Sequence, residues 1–177
     1  DTACIVRELE ERYPSPTLFP QGTHGVATML GAWADRTLFF DAVGVVFGTL
    51  GNMVPNDLRE DRLKFSAGLI DLDRYQREQP QLRSQLRAHL FWIERAFDDG
   101  RPFVLGTAPT WADFCFYSPV WMVERRVPEL ALLADMPRTR AWFDRMTVFG
   151  HGRPMELDAK EALRIAYGAQ PDEVKLG

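Results

Sequence analysis

The chain has 177 residues, of which 46% are hydrophobic and 26% charged, a composition typical of a globular domain. Its net charge of -4 lacks the basic surplus that nucleic-acid binding needs, and no apolar run reaches the roughly 20 residues of a membrane-spanning helix. Two cysteines are too few for a disulfide framework, so we expect a reducing, cytoplasmic location.

The first 50 residues contain two predicted helices separated by a linker. Residues 1–12 place Ile5 and Leu9 on one side and charged residues on the other, which predicts a one-sided helix. Three prolines then interrupt helical structure and predict a linker over residues 14–22. A long apolar helix is predicted over residues 23–50. Three glycines predict bending, fraying or close packing toward its end: Gly44, Gly48 and Gly51.

Two more helices are predicted between residues 55 and 100. The first begins at Pro55 and continues to about Tyr75, and Gln79-Pro80 is expected to break the chain there, because proline removes a backbone donor. The next helix has apolar residues at spacings of three and four, which indicates one buried stripe. The residues of this stripe are Leu82, Leu86, Leu90, Ile93 and Phe97.

The last third begins with a helix at Thr110 whose middle is apolar on every side, as in the centre of a helical bundle. Pro119 predicts a kink or an early end of this helix. Further helices are predicted over residues 128–135, 138–148 and 157–167, followed by a flexible tail over 169–177. No strand-like alternation is present, so the predicted fold class is all-α, a helical bundle.

Thr110 and Asp113 predict a capping box at the start of the central helix. A threonine oxygen can accept a hydrogen bond from the backbone N–H three residues on, and the carboxylate can accept one from the N–H of Thr110. A buried helix needs such a cap because water cannot reach its free N–H groups. The cap is interpreted as structural, without a role in chemistry.

No residues form a pattern typical of nucleophilic catalysis or metal binding. Cys4 and Cys115 lie in apolar helical stretches without a basic neighbour, so both thiols are expected to be unreactive. His24, His89 and His151 are far apart, and no spacing matches a metal site. His89 lies beside a buried stripe and is interpreted as structural. The prediction is therefore that this chain contains no catalytic residue and no metal site.

Three segments, in this order along the chain, resemble glutathione transferases: Asp1-Thr2 at a helix start, Leu105 to Asp113, and Pro137 to Met146. The resemblance covers essentially the whole chain. It implies that residues 1–13 are the last helix of a thioredoxin-like domain, 14–22 a linker and 23–168 the C-terminal helical domain. It also implies that most of the thioredoxin-like domain, including a catalytic Cys, Ser or Tyr, lies upstream of Asp1.

The resemblance further implies that glutathione is the co-substrate of the parent protein. That protein is expected to conjugate small hydrophobic electrophiles to glutathione, or to reduce them with it, in detoxification and as a homodimer. This chain alone is expected to be inactive. Asp1 would face the γ-glutamyl ammonium group and Thr2 the γ-glutamyl carboxylate, although on spacing alone an ordinary helix cap is the simpler interpretation.

The resemblance places the wall of the electrophile pocket on Trp33, Arg36, Thr37, Phe40 and Tyr117. The alternative is that these aromatic residues belong to the core, and for Trp33 and Arg36 both interpretations stay open. For the whole protein, one alternative is a non-catalytic glutathione-transferase-like module for binding or assembly. Another is a free-standing helical bundle that begins at Asp1.

Overall fold

The structure, a computed structural model, describes residues 2–170; Asp1 and most of the predicted tail over 169–177 lie outside this range. Within it the fold is all-α without strands, which confirms the predicted class. Among the same residues, no helix has the length and apolar character needed to cross a bilayer. The helices are α1 (Thr2–Arg12), α2 (His24–Trp33), α3 (Phe39–Leu50), α4 (Asn56–Phe65), α5 (Leu72–Ala96), α6 (Trp111–Arg126), α7 (Pro137–Thr147) and α8 (Ala159–Gly168).

Helix α6 lies at the centre of the bundle. It packs against α2, α3 and α7, and α5 packs against α3 and α7. Along α6 the buried residues occupy several sides of the helix, as the sequence predicts for a central element. The largest fully buried side chains come from several segments along the chain: Trp142, Phe97, Leu38, Leu86, Ile93, Leu132, Leu133 and Met136.

The predicted helix over 23–50 is present as α2 and α3, joined without interruption by a π-helical turn over Ala34–Leu38. Ala34 and Leu38, at the two ends of this wide turn, are both buried. Of the three glycines, Gly48 permits close packing: a Cβ atom there would lie 2.5 Å from the carbonyl oxygen of Tyr75 on α5. Gly51, with a φ of 51°, ends α3 and begins a 3-10 turn over Gly51–Met53.

The predicted break at Gln79-Pro80 is wrong, because α5 continues through Pro80 to Ala96. The chain breaks earlier, where Gly68 adopts a φ of +88° and its N–H donates to the Leu63 carbonyl at 2.8 Å. Asp71 then caps α5 by accepting a hydrogen bond from the Arg74 N–H at 3.0 Å. Pro80 is exposed, and packing of α5 against α3 offsets the backbone hydrogen bond that proline removes.

Two further predictions about helices need correction. The segment 128–135 is not a helix: only Pro128–Leu130 form a 3-10 turn, and Ala131 then adopts a left-handed conformation with a φ of 47°. This turn allows Leu132 and Leu133 to be buried in the core. The early end at Pro119 does not occur, since α6 continues to Arg126. The last two predicted helices are observed as α7 and α8.

The segment between α1 and α2 is held near its middle, at Thr17 and Leu18. The Glu10 carboxylate accepts hydrogen bonds from the Thr17 hydroxyl at 2.7 Å and from the Leu18 N–H at 2.6 Å. The Leu18 carbonyl in turn accepts a hydrogen bond from the Trp111 N–H at 2.9 Å. The predicted linker thus connects α1 to the N-terminus of the central helix α6.

Candidate functional site

The N-terminus of α6 is organised by the carboxylate of Asp113, which is fully buried. One oxygen accepts hydrogen bonds from the N–H and the hydroxyl of Thr110, both at 2.8 Å. The other accepts from the Val104 N–H at 2.8 Å and from the indole N–H of Trp142 at 2.9 Å. The capping box is present and does more than cap α6, because the same carboxylate holds the loop before α6 and helix α7.

A second buried carboxylate, Glu94 of α5, lies at the N-terminus of α7. It accepts hydrogen bonds from the N–H and hydroxyl of Thr139 at 2.7 and 2.8 Å and from the Arg138 N–H at 3.2 Å. Burial alone would raise the pKa of Glu94, but the bonds from Thr139 and Arg138 together lower this pKa below its ordinary value. The carboxylate therefore stays charged at the helix terminus, where a negative charge is favourable.

An apolar groove of about 340 Å³ opens between α2, α5 and α6. Its size falls in the lower part of the range of small-molecule sites. Two tryptophans form part of its wall: Trp33 from α2 and Trp92 from α5, with ring centres 6.1 Å apart. The remaining lining residues are also apolar: Leu30, Ile93, Ala96, Val104, Leu105 and Phe116.

His89 contacts both of these tryptophans, with ring centres 5.5 Å from Trp33 and 4.7 Å from Trp92. Its Nδ1 atom lies 2.5 Å from a carboxylate oxygen of Asp41 on α3, and its Nε2 atom lies 3.2 Å from the Gln85 amide. Burial raises the pKa of Asp41, although its hydrogen bond and charge interaction with His89 lower it. His89 is thus a buried, hydrogen-bonded histidine that joins α5 to α3.

The five residues predicted for the electrophile pocket differ in their surroundings. Of them, only Trp33 lines the apolar groove. Arg36 is exposed and Thr37 is half-buried, both within the π-helical turn, and Phe40 is half-buried in edge-to-face contact with Phe39. Tyr117 lies elsewhere: its ring packs on Phe143 of α7 at 5.3 Å, and its hydroxyl lies 3.3 Å from the Thr147 hydroxyl.

Of the two residues predicted to bind the γ-glutamyl end of glutathione, only Thr2 lies within the described part of the chain. Asp1 lies outside the described residues, and Thr2 is exposed as the first residue of α1. The N-terminus of an α-helix presents free N–H groups and partial positive charge, which suit an anionic group. Binding of a carboxylate by Thr2 stays a prediction.

The other candidates for chemistry have no reactive surroundings. Burial, aided by the charge of Asp35, raises the pKa of the Cys115 thiol to about 12, so this thiol stays protonated near neutral pH. Cys4 is exposed on α1. Within residues 2–170, no group of three or more His, Cys, Asp and Glu side chains could hold a metal ion.

The sequence analysis missed Trp92, which is part of the groove and 60% exposed. It also missed Glu94, a charged residue outside the buried stripe of the same helix. A signal existed for Trp92, because Phe91-Trp92 places two aromatic residues outside the buried stripe of α5. No comparable signal existed for Glu94, since its partners Arg138 and Thr139 lie far along the chain.

The comparison with protein families identifies the family of this chain. The family model described as glutathione S-transferase, C-terminal domain, matches residues 32–145, which is more than half of the chain. The chain belongs to the glutathione S-transferase family. The matched range of this glutathione S-transferase chain includes the groove residue Trp33 and the capping residues Thr110 and Asp113, whereas Thr2 lies before it.

Two solved structures are similar to this glutathione S-transferase chain. A GST-like protein from Pseudomonas syringae has 28% sequence identity and a TM-score of 0.70, with 99% of this chain and 56% of that chain covered. A glutathione S-transferase from Rhodospirillum rubrum F11 has 24% identity and a TM-score of 0.58, with 87% and 61% covered. This chain thus spans less than two thirds of either protein. No curated protein sequence matches it.

Proposed function

We propose that this chain is the helical part of a glutathione-dependent transferase that conjugates or reduces small hydrophobic electrophiles. The observation that carries the proposal is the match of 99% of the chain to 56% of a GST-like protein. Almost every residue thus has a counterpart there, while a large part of that protein has none here. The remaining part of the parent protein would supply the residue that activates the glutathione thiol.

In this proposal the chain binds and positions glutathione and the electrophile. The residue that activates the thiol lies in another part of the parent protein. The buried Cys115 thiol cannot serve as a nucleophile, because its raised pKa keeps it protonated. Thr2, together with Asp1, would receive the γ-glutamyl end of glutathione at the N-terminus of α1. Placing the thiol next to an electrophile is a large part of catalysis in such a reaction, since it removes an entropic cost of bringing the reactants together.

The wall of the electrophile pocket would be formed by Trp33, Arg36, Thr37 and Phe40, which follow one another along α2, the π-helical turn and α3. Support comes from the turn itself, because π-helical turns inside α-helices are frequent at functional sites. Tyr117 would belong to a separate part of this wall, since it contacts α7. The parent protein would act as a cytoplasmic homodimer.

The γ-glutamyl anchor is tested by calorimetric titration of the chain with glutathione and with cysteinylglycine, which lacks the γ-glutamyl group. We expect glutathione to bind more tightly, and Thr2→Val to remove most of this preference. Thr107→Val, which changes an exposed threonine of a loop, is the matched control and should leave it unchanged. Equal binding of both compounds by the wild-type chain would show that Thr2 and Asp1 are not an anchor.

The location of the chemistry is tested with glutathione and a nitroaryl chloride as the electrophile. The chain alone should not raise the rate above that of the uncatalysed reaction, whereas the full-length parent protein should. In the parent, Arg36→Ala should raise the KM for the electrophile more than the KM for glutathione. A clear rate from the chain alone would contradict the proposal that the activating residue lies outside it.

A further inference from the structure

Helix α4 lies in the connection between α3 and α5, outside the packed core of the bundle. All ten of its residues are described, and none of them is buried. Exposed apolar side chains that lie close together are typical of interaction sites. Five large apolar side chains of this connection are at least 39% exposed: Met53, Leu58, Leu63, Phe65 and Leu69. The connection therefore presents more apolar surface than a link between two helices requires.

Arg59 holds α4 against the start of α5. Its side chain is only 15% exposed. The guanidinium group donates to the Gly51 carbonyl at 2.5 Å and to the Val54 carbonyl at 3.3 Å, and it pairs with Asp73 of α5 at 2.5 Å. Because these bonds come from one side of α4, the helix has a set orientation and its other sides face solvent.

Two neighbouring rows of side chains run along α4. Residues seven apart lie nearly in line, because an α-helix has about 3.6 residues per turn. Leu58 and Phe65 form an apolar row in this way, and they are 39% and 77% exposed. Asp57 and Lys64 form the adjacent row, with opposite charges at its two ends and no ion-pair partner for either among residues 2–170. We name these four residues the α4 face.

We propose that the α4 face binds the α4 face of a second copy of the chain, with the two helices antiparallel about a two-fold axis. This symmetry places Leu58 opposite Phe65 of the second copy, and it repeats the contact in the other direction. It also places Asp57 opposite Lys64 of the second copy, again twice. The α4 face is therefore complementary to itself both in polarity and in charge.

A partner with only one sign of charge fits the α4 face less well. An acidic segment would meet Asp57 and a basic segment would meet Lys64, and like charges across an interface are unfavourable. Asp61 and Arg62, which lie between the two ends of the face, pair with each other within one copy. They bring no net charge to the centre of the contact. Charge thus favours a second copy over a strongly charged partner.

The α4 contact adds to the homodimer proposed above for the parent protein and does not depend on glutathione chemistry. Two large apolar side chains from each copy make a small interface, so we expect weak binding. A homodimer joined through another surface would present two α4 faces. Further copies would then close a tetramer or extend a chain of dimers.

The test is sedimentation velocity of the wild-type chain and of charge variants over a range of concentrations. We expect the wild-type chain to associate as a weak dimer. Asp57→Lys and Lys64→Asp should each weaken this association about tenfold, because each places like charges opposite each other. Both substitutions in one chain should restore it, and so should a mixture of the two single variants, in which opposite charges meet again. Phe65→Ser should weaken association about tenfold.

Matched control variants lie outside the α4 face. Lys160→Asp changes an exposed lysine of α8, and Tyr167→Ser removes an aromatic side chain that is 87% exposed. Both should associate like the wild type. A wild-type chain that stays monomeric at about 1 mM would refute the proposal. So would an equal loss in the control variants, or a mixture of the single variants that associates no better than either alone.

Discussion

Replacement of Asp113 by alanine tests how much the buried carboxylate at the start of α6 contributes to stability. Four donors, from Thr110, Val104 and Trp142, lose their acceptor in this variant. A hydrogen bond to a charged acceptor contributes about 1.5–3 kcal/mol, and a buried donor without a partner costs about 1–3 kcal/mol. These contributions overlap, so we expect Asp113→Ala to lower the free energy of unfolding by about 4 kcal/mol.

The assay is urea denaturation of wild type and variant, monitored by far-UV circular dichroism. The free energies of unfolding are compared with the same slope against urea concentration for both proteins. Asp113→Asn provides a milder change: its oxygen can still accept from Val104 and Trp142, but its amide group would face the Thr110 N–H. We expect a loss of about 2 kcal/mol for this variant. It also gives a measurement if Asp113→Ala does not fold.

Asp144→Ala is the matched control, because Asp144 is an exposed aspartate on α7. Its substitution should change the free energy of unfolding by less than about 0.5 kcal/mol. If Asp113→Ala cost no more than Asp144→Ala, the four hydrogen bonds would contribute nothing net, and the carboxylate would not hold the end of α6 in place.

Three other predictions concern Glu94, Gly48 and Cys115. Glu94→Gln should lower the free energy of unfolding by about 2 kcal/mol at neutral pH. Because the pKa of Glu94 is lowered in the folded state, this loss should be full above the unfolded pKa of glutamate and shrink as the pH falls through the folded pKa. A loss that grows in acid would contradict the prediction. Gly48→Ala should lower the free energy of unfolding by about 1–3 kcal/mol, because the new Cβ atom would meet the Tyr75 carbonyl. Gly25→Ala, at a position with open space around it, should raise the free energy of unfolding by about 0.5 kcal/mol in the same urea titration. Iodoacetamide at mildly alkaline pH should leave Cys115 unmodified in the native chain and modify it in denaturant, as measured by mass spectrometry of the Cys115 peptide. Fast modification of the native chain would contradict the raised pKa of this thiol.

Local patterns were sufficient for much of the fold. The stripe from Leu82 to Phe97 predicted an amphipathic helix, and Thr110 with Asp113 predicted the start of the central one, because both depend on residues within a few turns. The break at Pro80 was predicted wrongly for a related reason. A local rule assigns the cost of a proline, but the packing of α5 against α3 that offsets this cost is a tertiary effect.

The candidate site was less predictable because its parts come from distant segments. The sequence indicated Trp33 but not its neighbour Trp92, which reaches the groove from another helix. Tyr117 was predicted for the same pocket as Trp33, and its ring packs on Phe143 of α7. The direction of a side chain cannot be read from periodicity on a helix that is apolar on most sides. The roles of Asp1 and Thr2 stay predictions.

The two buried carboxylates have a consequence for how the bundle opens. Asp113 receives a bond from Trp142, 29 residues away, and Glu94 receives bonds from Thr139, 45 residues away. If α7 detached alone, each buried charge would lose donors that water cannot readily replace, which is costly. Local fraying of α7 is therefore suppressed, and the backbone amides of α5, α6 and α7 should exchange with solvent together, as one cooperative unit with a common opening free energy.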